Sequence, residues 1–327
     1  MIKQDEKIDY IFRLKAISVL VVILIHTIGP YFYLLNKISR EAWMTVTIID
    51  SFVRFCVPIF LVCSGAIILN KDYKISKWIT DKVIYRLTIP FLLYSLILAI
   101  ISHGNIIVFI KNILEIKSYL PFYTVIMSLY LLYPVIRSWL KKTEDKYIKY
   151  FILLWVVVLL IRFYFPKFPY ISGNLLYEYI GYPVIGYFLT KINTKKYKRI
   201  AILLYFFSSI LIALITLNLS FDKNQPIERY FEYTSPLVVL MTIGIFIFIK
   251  ESEFKINKKI DFFVKFLSDS SWGMYLLHPI ILQIISPYFW GYSIYISIIL
   301  KFFLTLILTT TILFVTKKIP LLKKIVG

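Results

Sequence analysis

The chain has 327 residues, 59% hydrophobic and 18% aromatic, with a mean hydropathy of +0.77 and a formal net charge of +20. A water-soluble domain cannot hide that much apolar surface, so a soluble fold is excluded. The charge is no nucleic-acid footprint either, because the basic residues fall in alternate connections between long apolar runs.

A helix needs roughly 20 apolar residues to cross the hydrocarbon core. Ten runs approach that length: 16–34, 45–69, 84–102, 119–136, 148–165, 171–190, 200–218, 231–249, 269–287 and 293–316. Lipid cannot satisfy bare backbone groups, so each is expected to be helical. The expected fold is all-α: a polytopic membrane helical bundle of about ten transmembrane helices, one domain over 1–327. The longest connections, around 103–118, 219–230 and 250–268, are too short for a further domain. Of the 38 Lys and Arg, 28 lie at the two termini and in the connections near 70–86, 137–149, 191–199 and 250–265. Eight lie in the other connections, and only Arg54 and Lys301 fall well inside spans. The positive-inside rule then puts both termini in the cytoplasm of a multi-pass protein of the cell inner (cytoplasmic) membrane.

Ionisable groups inside spans are costly, so each is a functional candidate. The first apolar run is too long for a signal-peptide core and no small-x-small cleavage site follows it, so it is expected to remain as a span. Lys15 marks its cytoplasmic end. His26 stands eleven residues on, about 16 Å deeper at 1.5 Å per residue. An imidazole there is either a general base or acyl-transfer group, or a structural histidine bonded between helices. In the second run Asp50 precedes Arg54 by four residues, a favourable i,i+4 order. The two either neutralise each other near the outer surface, or Arg54 serves an anion or a developing oxyanion. Cys56 and Cys63, seven apart on one helix, are too distant to bridge.

Arg86 opens the third run, where it serves either a phosphate or topology. His103 reads as a solvated loop residue. Glu178, in the sixth run, is a counter-ion to Arg54 or an acceptor-binding group. Late in the chain Ser271, Tyr275 and His278 follow i, i+4, i+7 spacing and share a helix face, with Pro279 expected to weaken the helix beside them. The stripe either lines a cavity or glues helices together. Tyr31, Tyr33, Trp43, Trp139 and Trp290 read as an interfacial aromatic belt. No Walker or GxGxxG motif occurs, and no metal-ligand spacing, so no metal or bound cofactor is expected.

Five of these segments together resemble the acyltransferase 3 family of membrane proteins. The first span is similar to that family's opening motif, a basic residue and a histidine with ten residues between them, with Lys15 where many members carry arginine. Arg54-Phe55-Cys56-Val57-Pro58-Ile59-Phe60 followed by Ser64-Gly65 is similar to R-x-x-V-P-x-F…S-G. Arg86 to Pro90 resembles the basic stretch entering the third span; Val83 stands where members often carry a second arginine. Leu129 to Pro134 resembles a fourth-span pattern, and Ser271 to His278 the late S-[FYW]-G-I-Y-L-x-H element. The resemblance is to the short branch that acylates surface polysaccharides; the extracytoplasmic hydrolase-like domain of some peptidoglycan-modifying members is absent from these residues.

The resemblance implies an acyl group, acetyl or succinyl, moved from cytoplasmic acyl-CoA, as donor substrate, to a hydroxyl of a cell-surface polysaccharide or lipid-linked oligosaccharide. It implies that His26 deprotonates the acceptor or carries the acyl group, that Lys15 and Arg86 attract the donor's phosphates, and that Arg54 stabilises charge at the thioester or orients the acceptor. Ser64, Glu178, Tyr275 and His278 would support the cavity. Membrane lipids are expected around the bundle and nucleic acid is not a partner. The rival reading is a transporter or flippase of a glycan precursor, which buried His, Arg and Glu would also suit.

Overall fold

The computed structural model describes residues 6–101, 122–167 and 178–319. His103 with its loop, the start of the run at 119–136 and the first part of the run at 171–190 lie outside the described residues. Those described contain no strand. The helices are α1 (Glu6–Phe32), α2 (Arg40–Val53), α3 (Cys56–Ile68), α4 (Ile75–Trp78), α5 (Ile89–Ile101), α6 (Phe122–Lys142), α7 (Asp145–Tyr164), α8 (Gly181–Lys191), α9 (Lys198–Asp222), α10 (Pro236–Lys250), α11 (Lys258–Ile285) and α12 (Ile294–Thr316).

Among the described residues, seven helical stretches are long and apolar enough to cross a membrane: Asp9–Phe32, Arg40–Ile68, Ile75–Ile101, Asp145–Tyr164, Lys195–Asp222, Arg229–Lys250 and Ile294–Thr316. The protein is therefore an all-α polytopic membrane bundle. α6, α8 and α11 are shorter or more polar. α11 buries Ser268, Ser270, Ser271 and His278 inside the bundle, and those residues lower its hydropathy.

The connections gather at two ends. At one, Arg13 donates to the Phe254 carbonyl (3.2 Å), Arg137 pairs with Asp72 (3.2 Å), and Lys250 donates to the carbonyls of Leu189 (2.7 Å) and Ile192 (3.0 Å). This end holds the lysine-rich connections. At the other, Tyr33 donates to Glu228 (2.5 Å) and Asn36 to Asn224 (3.1 Å). Outside the spans, the hydrogen bond and charge of Lys141, reinforced by Arg137, hold the Asp72 carboxyl below the usual carboxylate range.

The run expected as one helix at 45–69 is broken. Arg54 and Phe55 form a turn between α2 and α3. Pro58 is the physical cause: it has no N–H to give the Arg54 carbonyl four residues back. Pro279, by contrast, leaves α11 continuous from Lys258 to Ile285. Trp43 is no belt residue. It is fully buried and donates its indole N–H to the Phe32 carbonyl (2.7 Å). Cys56 and Cys63 are both free and buried.

Lipid tails are as apolar as leucine, so helices here hold together by close packing. α3 and α8 meet backbone to backbone. A Cβ on Gly65 would lie 2.0 Å from the Pro183 carbonyl oxygen, and one on Gly186 would lie 2.0 Å from that of Val62. α1 is the hub, packed against α2, α3, α10, α11 and α12.

Candidate active site

The hub position explains what happens at His26. Ile25, Thr27 and Ile28 beside it are buried, yet His26 itself is exposed. The imidazole is therefore not sealed in packed side chains. On this face His26 meets α11 at His278. Its ring centroid lies 4.8 Å from that of His278, at 53° between planes.

His278 is fully buried on α11, and its Nδ1 lies 2.9 Å from the Met274 carbonyl. A carbonyl only accepts, so Nδ1 carries the proton and Nε2 is left as an acceptor. Nε2 has no hydrogen-bond partner among the described residues. The Tyr275 ring is 6.1 Å from His278, and Trp272 stacks on Tyr275 at 5.4 Å. The i, i+4, i+7 stripe thus runs up to the two imidazoles.

On the basic side of this pair lies a cavity of about 1430 Å³. Lys15, Lys82 and Arg86 all stand in its wall. None of the three forms an ion pair or hydrogen bond among the described residues, whereas Asp72 is matched by Arg137 and Lys141. Lys82 and Arg86 sit on a π-helical stretch, Ile79–Thr88, between α4 and α5. Such wide turns recur at functional sites. The innermost wall is apolar, with Val22, Val57, Phe60 and Phe122, and Tyr275 closes it beside His278. Val22 is one helical turn from His26, so the cavity ends a turn short of the imidazole.

Ser64 also lines the cavity. Its hydroxyl donates to the Leu61 carbonyl (2.8 Å), so the Tyr133 hydroxyl donates to Ser64. Ser271 and Tyr275 are in the same wall.

Arg54 and Glu178 stand apart from the cavity wall. Arg54 pairs with Asp50, and its guanidinium lies 4.2 Å over the Phe231 ring. Asp50 is fully buried and Arg54 partly so, and the ion pair is enclosed by protein. Glu178 is not the counter-ion of Arg54. It is buried against Arg162, and its backbone carbonyl accepts from the Trp155 indole (3.2 Å).

Sequence reasoning passed over three parts of the site. Lys82 was legible, since it stands four residues before Arg86 on the same stretch. Tyr73 and Trp78, which stack with Tyr130 of the Leu129–Pro134 segment at centroid spacings of 4.4 and 5.4 Å, and Asp269, in the same cavity wall, carried no motif.

Fold and site together define a multi-pass helical membrane protein with a deep basic cavity that stops one turn from an open imidazole. The family model described as the acyltransferase domain matches residues 8–318, nearly the whole chain. The chain belongs to the acyltransferase 3 family and is a membrane acyltransferase. No curated protein and no solved structure matches it.

Proposed function

We propose that the protein is an O-acyltransferase of the cytoplasmic membrane that moves an acyl group, acetyl in the simplest case, from acyl-CoA to a hydroxyl of a cell-surface polysaccharide or its lipid-linked precursor. One observation carries the donor: three cations with no ion pair or hydrogen bond among the described residues, Lys15, Lys82 and Arg86, line a single cavity whose wall also holds Asp269. Like charges gathered at a low-dielectric wall repel one another unless an anion joins them. A donor bearing several phosphates supplies that anion, and the cavity's inner end leads its thioester toward His26.

In the proposed reaction a nitrogen of His26 accepts the proton of the acceptor hydroxyl. The oxygen attacks the thioester carbonyl, the C–O bond forms and the C–S bond breaks. The thiolate of coenzyme A leaves and takes its proton from the imidazolium, which restores His26. His278, with Nε2 free to accept, steadies the ring of His26 and is a positioning residue. Arg54, fixed by Asp50 and Phe231 in the turn after α2, orients the acceptor. Lysine at position 15 keeps the charge of an arginine without its bidentate fork, so there it acts as a point charge on phosphate.

Mass spectrometry of the surface glycan from cells with and without the gene tests the reading. Ester-linked acyl groups present with the gene, lost without it, and not restored by His26→Ala are the expected result. Loss of the glycan itself, with acylation of what remains unchanged, overturns it in favour of transport.

A further inference from the structure

The basic wall and the imidazole are far apart for one ligand. Eleven residues of α1 separate Lys15 from His26, about 16 Å along the helix. If phosphates sit at Lys15, Lys82 and Arg86, an uncharged arm must cross that distance to present an acyl carbon to His26. In coenzyme A the arm is pantetheine, a linear chain with two amides. Each amide has a carbonyl and an N–H to be satisfied once it leaves water.

One wall of the passage can do this. Val57, Phe60, Leu61 and Ile126 offer it no side-chain polar atom. α11 faces them with Ser268, Asp269, Ser271, Trp272 and Tyr275. Ser268 is fully buried, and its hydroxyl has no hydrogen-bond partner among the described residues. The indole N–H of Trp272 is likewise buried and without one. Ser18, Ser208, Thr216, Ser235, Ser270 and Thr305 are also buried without a partner among the described residues, but none of them lines the cavity, and other buried serine and threonine hydroxyls are paired. Thr27, Thr47, Ser51 and Thr242 each bond the carbonyl four residues back, at 2.7–2.8 Å. Buried polar atoms in folded proteins are nearly always paired, so orphaned groups on a cavity wall call for a partner that comes with the ligand. Trp272 can only donate and therefore needs a carbonyl; Ser268 can donate or accept. They are four residues apart on one face of α11, about 6 Å along the axis, which is the reach of two successive polar groups on an extended chain.

We infer that this face of α11 is the subsite for the pantetheine arm, with Ser268 and Trp272 as its hydrogen-bonding groups. The inference rests on the donor reading above. Both are tested by measuring binding of coenzyme A and of adenosine 3′,5′-bisphosphate to the purified protein in nanodiscs. The second ligand keeps the nucleotide and lacks the arm. Trp272→Phe and Ser268→Ala are each expected to weaken coenzyme A roughly three- to tenfold, the worth of one hydrogen bond, and to leave the bisphosphate unchanged. Equal weakening of both ligands, or of neither, overturns the subsite while the donor reading stands. Failure of the wild-type protein to bind either ligand overturns the donor reading and the subsite with it. If Trp272→Phe does not fold, Ser268→Ala carries the comparison alone, because losing one hydroxyl leaves no large cavity.

Discussion

Replacing Gly65 by alanine puts a number on the closest helix contact in the bundle. Its Cβ would sit 2.0 Å from the carbonyl oxygen of Pro183, 2.4 Å from its Cα and 2.5 Å from its carbonyl carbon, where ordinary contact begins at 3.4 Å. α3 and α8 must therefore part by about 1.4 Å, the difference between 3.4 and 2.0 Å. The obstacle is backbone, so no side chain can rotate away. Overpacking typically costs about 1–3 kcal/mol, and a rigid obstacle belongs at the upper end. Function should suffer as well, since α3 carries Ser64 and α8 ends at Thr190 and Lys191, all in the cavity wall. Gly29→Ala is the control: nothing lies within 4 Å of its Cβ. Thermal unfolding in detergent, followed by fluorescence-detected size exclusion, should show a lower melting temperature for Gly65→Ala and none for Gly29→Ala. Transfer in membranes should fall only for the first. A Gly65→Ala protein with wild-type melting and full activity would refute the close-packing argument.

His26→Ala should lower transfer by about 10²–10⁴-fold, the usual worth of a general base, while membrane insertion is unchanged; radiolabelled transfer in isolated membranes measures it, and full activity would remove His26 from the mechanism. Lys15→Ala should raise the apparent KM for the acyl donor more than it lowers kcat, and an unchanged KM would take Lys15 out of donor binding. Asp50→Ala leaves Arg54 buried without its partner and should destabilise the protein by about 3–5 kcal/mol. The double variant Asp50→Ala, Arg54→Ala should recover part of that loss. Equal melting temperatures for single and double variants would show that the pair is not coupled.

His26 stood out because an ionisable group in an apolar run has no cheap explanation. By position Lys15 and Arg86 are ordinary positive-inside charges; only the family resemblance marked them as donor-binding, and the cavity brings both into one wall. The i,i+4 order of Asp50 and Arg54 was local and readable. The burial of the pair was not, because it depends on Phe231 arriving over Arg54 from elsewhere in the chain. Glu178 was misassigned as a possible partner of Arg54 for the same reason: its counter-ion, Arg162, lies sixteen positions earlier with no spacing rule to connect them.

By itself the sequence determined the medium and the class of fold. Hydrophobic run length and the alternation of charge follow from the thickness and polarity of a bilayer, which act on each segment locally. The break at Arg54 was also within reach, since Pro58 withholds one specific backbone bond. Which helices touch was decided only in three dimensions. In lipid that depends on shape, on Gly65 against Pro183 and His26 against His278, and complementary surfaces leave no period in a linear sequence.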